Sequence, residues 1–191
     1  MRWLLVLCLA TSVASADGYY FTEGVGGTTI KDDLGAYVPS AVNIRIAVGR
    51  RTGQWAIEGF MSGHINSDVE AIGPNLMTGG VDVKYIQPLS KNLEVYLHGS
   101  ASYGGLDYNL RDYDGRGLGF GAGIRLKGKG SVWGLLWWPL FWLVKSGPKM
   151  TGALWLDDGY EYYRFHGRTP GDVINAQLTH ITFGYAVGTD F

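Results

Sequence analysis

Apolar and polar residues alternate along most of this chain. In 41–49, AVNIRIAVG, Val42, Ile44, Ile46 and Val48 share one side while Asn43, Arg45, Ala47 and Gly49 share the other. That is the period-2 spacing of a strand with one apolar face and one polar or small face. The same period runs through 54–66, where Trp55, Ile57, Met61 and Ile65 oppose Gln54, Glu58, Ser62, His64 and Asn66. It returns in 92–103, with Leu93, Val95, Leu97, Ala101 and Tyr103 against Glu94, Tyr96, His98, Ser100 and Ser102. It is cleanest in 116–127, where Leu118, Phe120, Ala122, Ile124 and Leu126 oppose Gly117, Gly119, Gly121, Gly123 and Arg125. Counting such runs predicts eight strands, over 19–28, 41–50, 54–66, 78–88, 92–104, 116–127, 151–166 and 173–190, the first and seventh being the least regular.

Each run reaches the ~9–11 residues that a tilted strand needs to cross a bilayer, whereas strands of soluble sandwiches average ~5–6. The connections alternate too. RRTG (50–53) and PLSKN (88–92) read as tight turns, and 29–40, 67–77 and 105–115 as long loops rich in Asp, Gly and Pro. Short turns at one end and long loops at the other are the layout of an outer-membrane barrel. Glycine supplies 30 of 191 residues, against a usual share of about 7%. In 116–127 the glycines all take the non-apolar face, where a narrow barrel has little room for side chains. With 16 basic and 17 acidic residues and a mean hydropathy near zero, the chain is neither a polytopic helical membrane protein nor a nucleic-acid binder with a dominant basic face.

The N-terminus, MRWLLVLCLATSVASADG, has a basic start at Arg2, an apolar stretch from Trp3 to Ala10, and Ala14-Ser15-Ala16 as a small-x-small cleavage site. These are the parts of a secretory signal peptide spanning 1–16. The single cysteine, Cys8, lies within it, so the expected mature chain has no disulfide and no thiolate metal site.

The chain resembles the small eight-stranded outer-membrane β-barrel proteins of the OmpA/OmpX-like superfamily over essentially all of 17–191. Its last strand, HITFGYAVGTDF, places Ile181, Phe183, Tyr185, Val187 and the terminal Phe191 on one face, similar to the aromatic-ended strand that such proteins present to the barrel-assembly machinery. The resemblance implies an all-β fold, an eight-stranded antiparallel up-and-down transmembrane β-barrel forming one domain over 17–191. It implies residence in the outer membrane of a Gram-negative-type envelope, with the lipid bilayer and lipopolysaccharide as surroundings and Tyr185 and Phe191 as the assembly signal.

Three functions fit such a barrel. The first is a structural or surface-interaction role with a largely closed lumen. Arg45, Glu58, Asp82, Lys84, Glu94 and Arg125, with Glu161 as a further candidate, fall on the polar face with mixed sign, and charges in a narrow interior are tolerated when paired. The second is a lipid-modifying enzyme of the lipid A deacylase or acyltransferase type, which some relatives are, and which would need a serine, a histidine and a carboxylate. Ser62, His64, Glu94, His98 and Ser100, with Ser102 and His180 nearby in the pattern, are the candidates. Alternation points them inward, away from a lipid substrate. The third is a small-solute channel, for which a lumen of one charge sign is the expected signature. No cofactor is expected, and no metal: Asp107, Asn109, Asp112 and Asp114 carry oxygen ligands, but Arg111 and Asp112 break the EF-hand spacing.

One segment departs from the period. SVWGLLWWPLFWLVKSG (131–147) is apolar on both alternate faces. It lies in an insertion, 128–150, between strands 6 and 7, at the end where a short periplasmic turn belongs. Its apolar core, 132–144, would span ~20 Å as a helix, too little for a hydrocarbon layer of ~30 Å, and Pro139 interrupts it. Trp133, Trp137, Trp138, Phe141 and Trp142 are therefore expected to dip into the periplasmic leaflet, with Lys127, Lys129, Lys145 and Lys149 at its headgroups. The alternative is a hydrophobic cover over the barrel mouth or a partner.

Overall fold

The computed structural model describes residues 18–66, 75–108, 111–128 and 150–189. The expected signal peptide, 1–16, together with Asn109, the five aromatic residues at 133–142 and Phe191, lies outside the described residues. Eight strands close into one antiparallel barrel in sequence order: β1 (Tyr19–Lys31), β2 (Ser40–Thr52), β3 (Trp55–Asn66), β4 (Asn75–Pro88), β5 (Leu93–Tyr108), β6 (Arg111–Gly128), β7 (Met150–His166) and β8 (Val173–Thr189). One short helix, α1 (Asp32–Gly35), follows β1. The chain enters it through Asp32, at a φ of 61°, a left-handed conformation that aspartate tolerates better than most side chains. The β2–β3 turn bends at Gly53, with a φ of 60°.

The expected strands are all present, and β1, β2, β4, β5 and β6 each run three or more residues longer than expected. The stretch 105–115, read as a long loop, is instead mostly β5 and β6 continuing upward, with Leu106 opposite Tyr113 and Asp107 opposite Asp112. Asp107, Asp112 and Asp114 are exposed on the outer face of this hairpin. Polar outward residues look like loop in a sequence even where the ladder of backbone hydrogen bonds goes on.

The strand register fixes the barrel's shape. Partners lead from Trp55 to Tyr85, Leu97, Ala122, Asp158, Ile181, Gly27 and Val42, and back onto β3 at Ile65. The walk leaves β3 at position 55 and returns at 65, a stagger of ten residues over eight strands. With ~3.3 Å per residue and ~4.8 Å between strands, that tilts the strands by about 40° and lifts the walk by about 25 Å along the axis. Every residue on the walk is exposed on the outer wall.

Around it lies a belt of exposed Val, Ile, Leu, Met and Phe, with Trp55 and Tyr85 at one margin and Tyr103 and Tyr162 at the other. A belt ~25 Å tall between aromatic girdles is the transmembrane signature of such barrels. No described helix is long and apolar enough to cross a membrane, which bears on helices alone.

Candidate functional site

The interior is the one place where the fold gathers chemistry, and it is layered. At the end carrying the chain termini, Arg51 Nη1 donates to Glu94 Oε1 at 2.8 Å, Lys127 Nζ reaches the same oxygen at 2.7 Å, and Arg125 lies 3.9 Å from Glu94 Oε2. Lys127, expected at the headgroups, is thus turned into the lumen, because its position on β6 shares the inward phase of Arg125 and Glu94 is there to pair with it. Above this layer, Lys84 Nζ lies 2.9 Å from Glu58 Oε1, and Tyr20 OH donates to that oxygen at 2.7 Å. Arg45 Nη2 donates to Asp82 Oδ2 at 2.9 Å while its guanidinium stacks 3.9 Å from the Phe60 ring centroid. His98 bridges two carboxylates, Nδ1 at 3.0 Å from Asp82 Oδ1 and Nε2 at 3.2 Å from Asp157 Oδ1. His180 is 3.9 Å from Asp157.

The bridge from His98 to Asp157 joins β5 to β7 across the intervening β6. It can do so because β6 places glycines beneath: a Cβ at Gly121 would collide with His98 Nε2 and with the Asp158 carbonyl. One level up, Ser102 Oγ of β5 donates to Tyr163 OH of β7 at 2.8 Å, over Gly117, where a Cβ would meet both side chains. The glycine column anticipated from tightness of the barrel therefore has a specific reason: side chains of the flanking strands meet over it.

The residues that acyl chemistry would recruit are engaged elsewhere. Ser62 Oγ donates to Asn43 Oδ1 at 2.6 Å, not to His64, whose Nδ1 hydrogen-bonds Thr28 Oγ1 at 3.1 Å. Both imidazole nitrogens of His98 face carboxylates, and Glu94 is held by Arg51 and Lys127. Ser100 is buried with no ring nitrogen bonded to its hydroxyl. All of these point into the lumen.

Toward the opposite end the lining changes character. Ile30, Leu76, Leu106, Tyr113, Tyr163, Phe165, Ala176 and Leu178 point inward, and Leu34 of α1 with Val38 beyond it folds down among them. Tyr163 and Phe165 stack with centroids 5.5 Å apart. The lumen is thus capped by a packed apolar layer that alternation on the sequence did not reveal.

Outside the cap, Arg111, Asp112, Arg168, Thr169 and Asp172 line a pocket of about 290 Å³, in which Arg168 pairs with Asp112 at 2.7 Å and Arg111 with Asp172 at 3.5 Å. Among the described residues, no cluster of three or more His, Cys, Asp or Glu is arranged to hold a metal ion.

No family model matches the chain, and no curated protein matches it in sequence. Among solved structures it is similar to Neisserial surface protein A, with 16% identity over 94% of this chain and 100% of that one and a TM-score of 0.58. It is also similar to Ail, the attachment invasion locus protein of Yersinia pestis (12% identity, 90% and 99% coverage, TM-score 0.46), and to the N-terminal β-barrel domain of OprF from Pseudomonas aeruginosa (14%, 91% and 97%, 0.43). The fold is that of the small eight-stranded outer-membrane barrels.

Proposed function

We propose that the protein is an integral outer-membrane barrel that acts through its surface and not through its lumen. The observation that carries this reading is the closure of the interior by two unlike layers in series, ion pairs toward the chain termini and an apolar cap at the far mouth. A solute path would have to break both. The likeness to a Neisserial surface protein and the outward apolar belt support the outer membrane as its location. The tight turn at Gly53 and the short 89–92 connection support an orientation with both chain ends in the periplasm and the apolar cap at the cell surface.

The same reading includes removal of residues 1–16 on export, recognition of the last strand through Tyr185 and Phe191 by the barrel-assembly machinery, and contact of the 131–147 aromatics with the periplasmic leaflet. The test of the central claim is conductance. The purified chain in planar bilayers is expected to show no single-channel steps, and lipid A from cells with and without the protein is expected to have the same acylation by mass spectrometry. Discrete conductance would overturn the closed lumen, and altered acylation abolished by Ser62→Ala would return the enzyme reading.

A further inference from the structure

On the outer wall, β6 and β7 face each other as a ladder of matched rungs, and one rung is anomalous. Arg116 and Arg164 are direct cross-strand partners, and both are exposed on the outer face. Like charges directly opposite in a sheet repel and destabilise it. Several other cations are compensated: Arg45, Arg51, Lys84 and Lys127 are paired inside, and the exposed Arg111, at the start of β6, and Arg168, beyond β7, have carboxylate partners. The side chains of Arg116 and Arg164 have no ion pair or hydrogen bond among the described residues. Asp114 and His166 form the next rung up, yet the Asp114 carboxylate pairs with neither arginine.

Their depth narrows what such a pair can hold. Arg116 and Arg164 stand six residues up their strands from Ala122 and Asp158, about 15 Å nearer the surface along the axis, at the level where Ile65 and Tyr162 end the apolar belt. The rungs below are Leu118 with Tyr162 and Phe120 with Tyr160, the last two rings 5.4 Å apart. Two guanidinium groups above an aromatic and aliphatic track match an amphiphile with an anionic head and acyl chains. Guanidinium forks suit phosphate in particular, since each can donate two parallel hydrogen bonds to its oxygens.

Building on the orientation proposed above, we propose that Arg116 and Arg164 form a binding site for the phosphate group of an outer-leaflet lipid, with its acyl chains lying along Leu118, Phe120, Tyr160 and Tyr162. The site holds the lipid and carries out no reaction on it. Its occupant neutralises a repulsion built into the sheet, so the bound lipid becomes part of the barrel wall.

The test uses the full chain in neutral maltoside micelles, with native mass spectrometry reading how much lipid stays bound. The probes are a diphosphorylated disaccharide lipid A and the same lipid after enzymatic dephosphorylation. The phosphorylated lipid is expected to be held about tenfold more tightly. Arg116→Gln and Arg164→Gln should each erode that preference and the double variant should abolish it, whereas Arg168→Gln, at an already paired arginine, should leave it intact. Each variant is first checked by the unboiled-gel mobility shift of a folded barrel. Equal retention of the two lipids overturns the proposal. So does an equal loss with Arg168→Gln, which would mean diffuse charge, or displacement by equimolar inorganic phosphate, which would mean a site for the free ion. None of these outcomes touches the closed lumen, which conductance tests separately.

Discussion

The two halves of the lumen close the same cylinder by opposite means. Toward the chain termini, Arg51, Glu94, Lys127, Glu58, Lys84, Asp82 and His98 close it with charge. Toward the far mouth, Leu34, Leu106, Phe165 and Leu178 close it with packed hydrocarbon. A paired interior is intolerant of losing one partner, because the survivor is left buried and uncompensated. A packed interior is intolerant of losing volume and more tolerant of a change in which apolar side chain supplies it. The two layers therefore protect against different accidents.

Substitutions can separate the two modes. The largest effect is expected for Asp82→Ala, which strands Arg45 and leaves His98 with Asp157 alone. Urea unfolding followed by tryptophan fluorescence in vesicles should show a loss of about 4 kcal/mol. Adding Arg45→Met to an Asp82→Leu variant should recover most of that loss, and failure to recover would mean that the pair is not acting as a unit. Next is Phe165→Ala in the cap, at about 3 kcal/mol, while Phe165→Leu should cost about 1 kcal/mol. If the cap worked through specific contacts, the two would be equally damaging. Neither Asp82→Ala nor Phe165→Ala alone should open a conductance, because the other layer remains. Gly121→Val sharpens the charged side: its side chain would sit under the His98 bridge to Asp157, and a loss of about 2 kcal/mol is expected.

The smallest effect has the opposite sign. Asp158 stands exposed at the fourth of the eight steps around the wall, halfway up the belt, where a carboxylate is unfavourable against lipid. Asp158→Leu should stabilise the barrel by about 1 kcal/mol in bilayers. The same substitution should do little in detergent, whose looser, wetter layer penalises the carboxylate less.

How far the sequence foretold this follows from where alternation holds. In β2, in β3 apart from the inward Phe60, and in the lower part of β6, the outside is apolar and the inside polar or bare, and strand, facing and lumen charges can all be read from period 2. In the upper half of β7, Tyr162 and Arg164 face out while Tyr163 and Phe165 face in. With large apolar groups inside, the contrast between faces vanishes, so the period is irregular there and does not reveal the cap. The extended β5–β6 hairpin is hidden for the converse reason: above the belt, outward positions such as Asp107 and Asp112 meet water and carry the residues of a loop. The tie between His98 and Asp157 lay beyond any single-strand pattern, since it depends on two strands meeting over a third. The glycine run of β6 was its trace, visible as a spacing but not as a purpose.

That tie has counterparts: Tyr20 of β1 reaches Glu58 of β3, Arg45 of β2 reaches Asp82 of β4, and Asn43 of β2 reaches Thr182 of β8. Each skips a strand. Backbone ladders between neighbours set the perimeter of a ring, but a ring of eight hinged sides can flatten into an oval without any side changing length. A rod across the interior of such a polygon removes that freedom. The buried polar pairs are therefore chords of the cross-section, and they hold the cylinder round when the lateral pressure of the surrounding membrane would otherwise squash it.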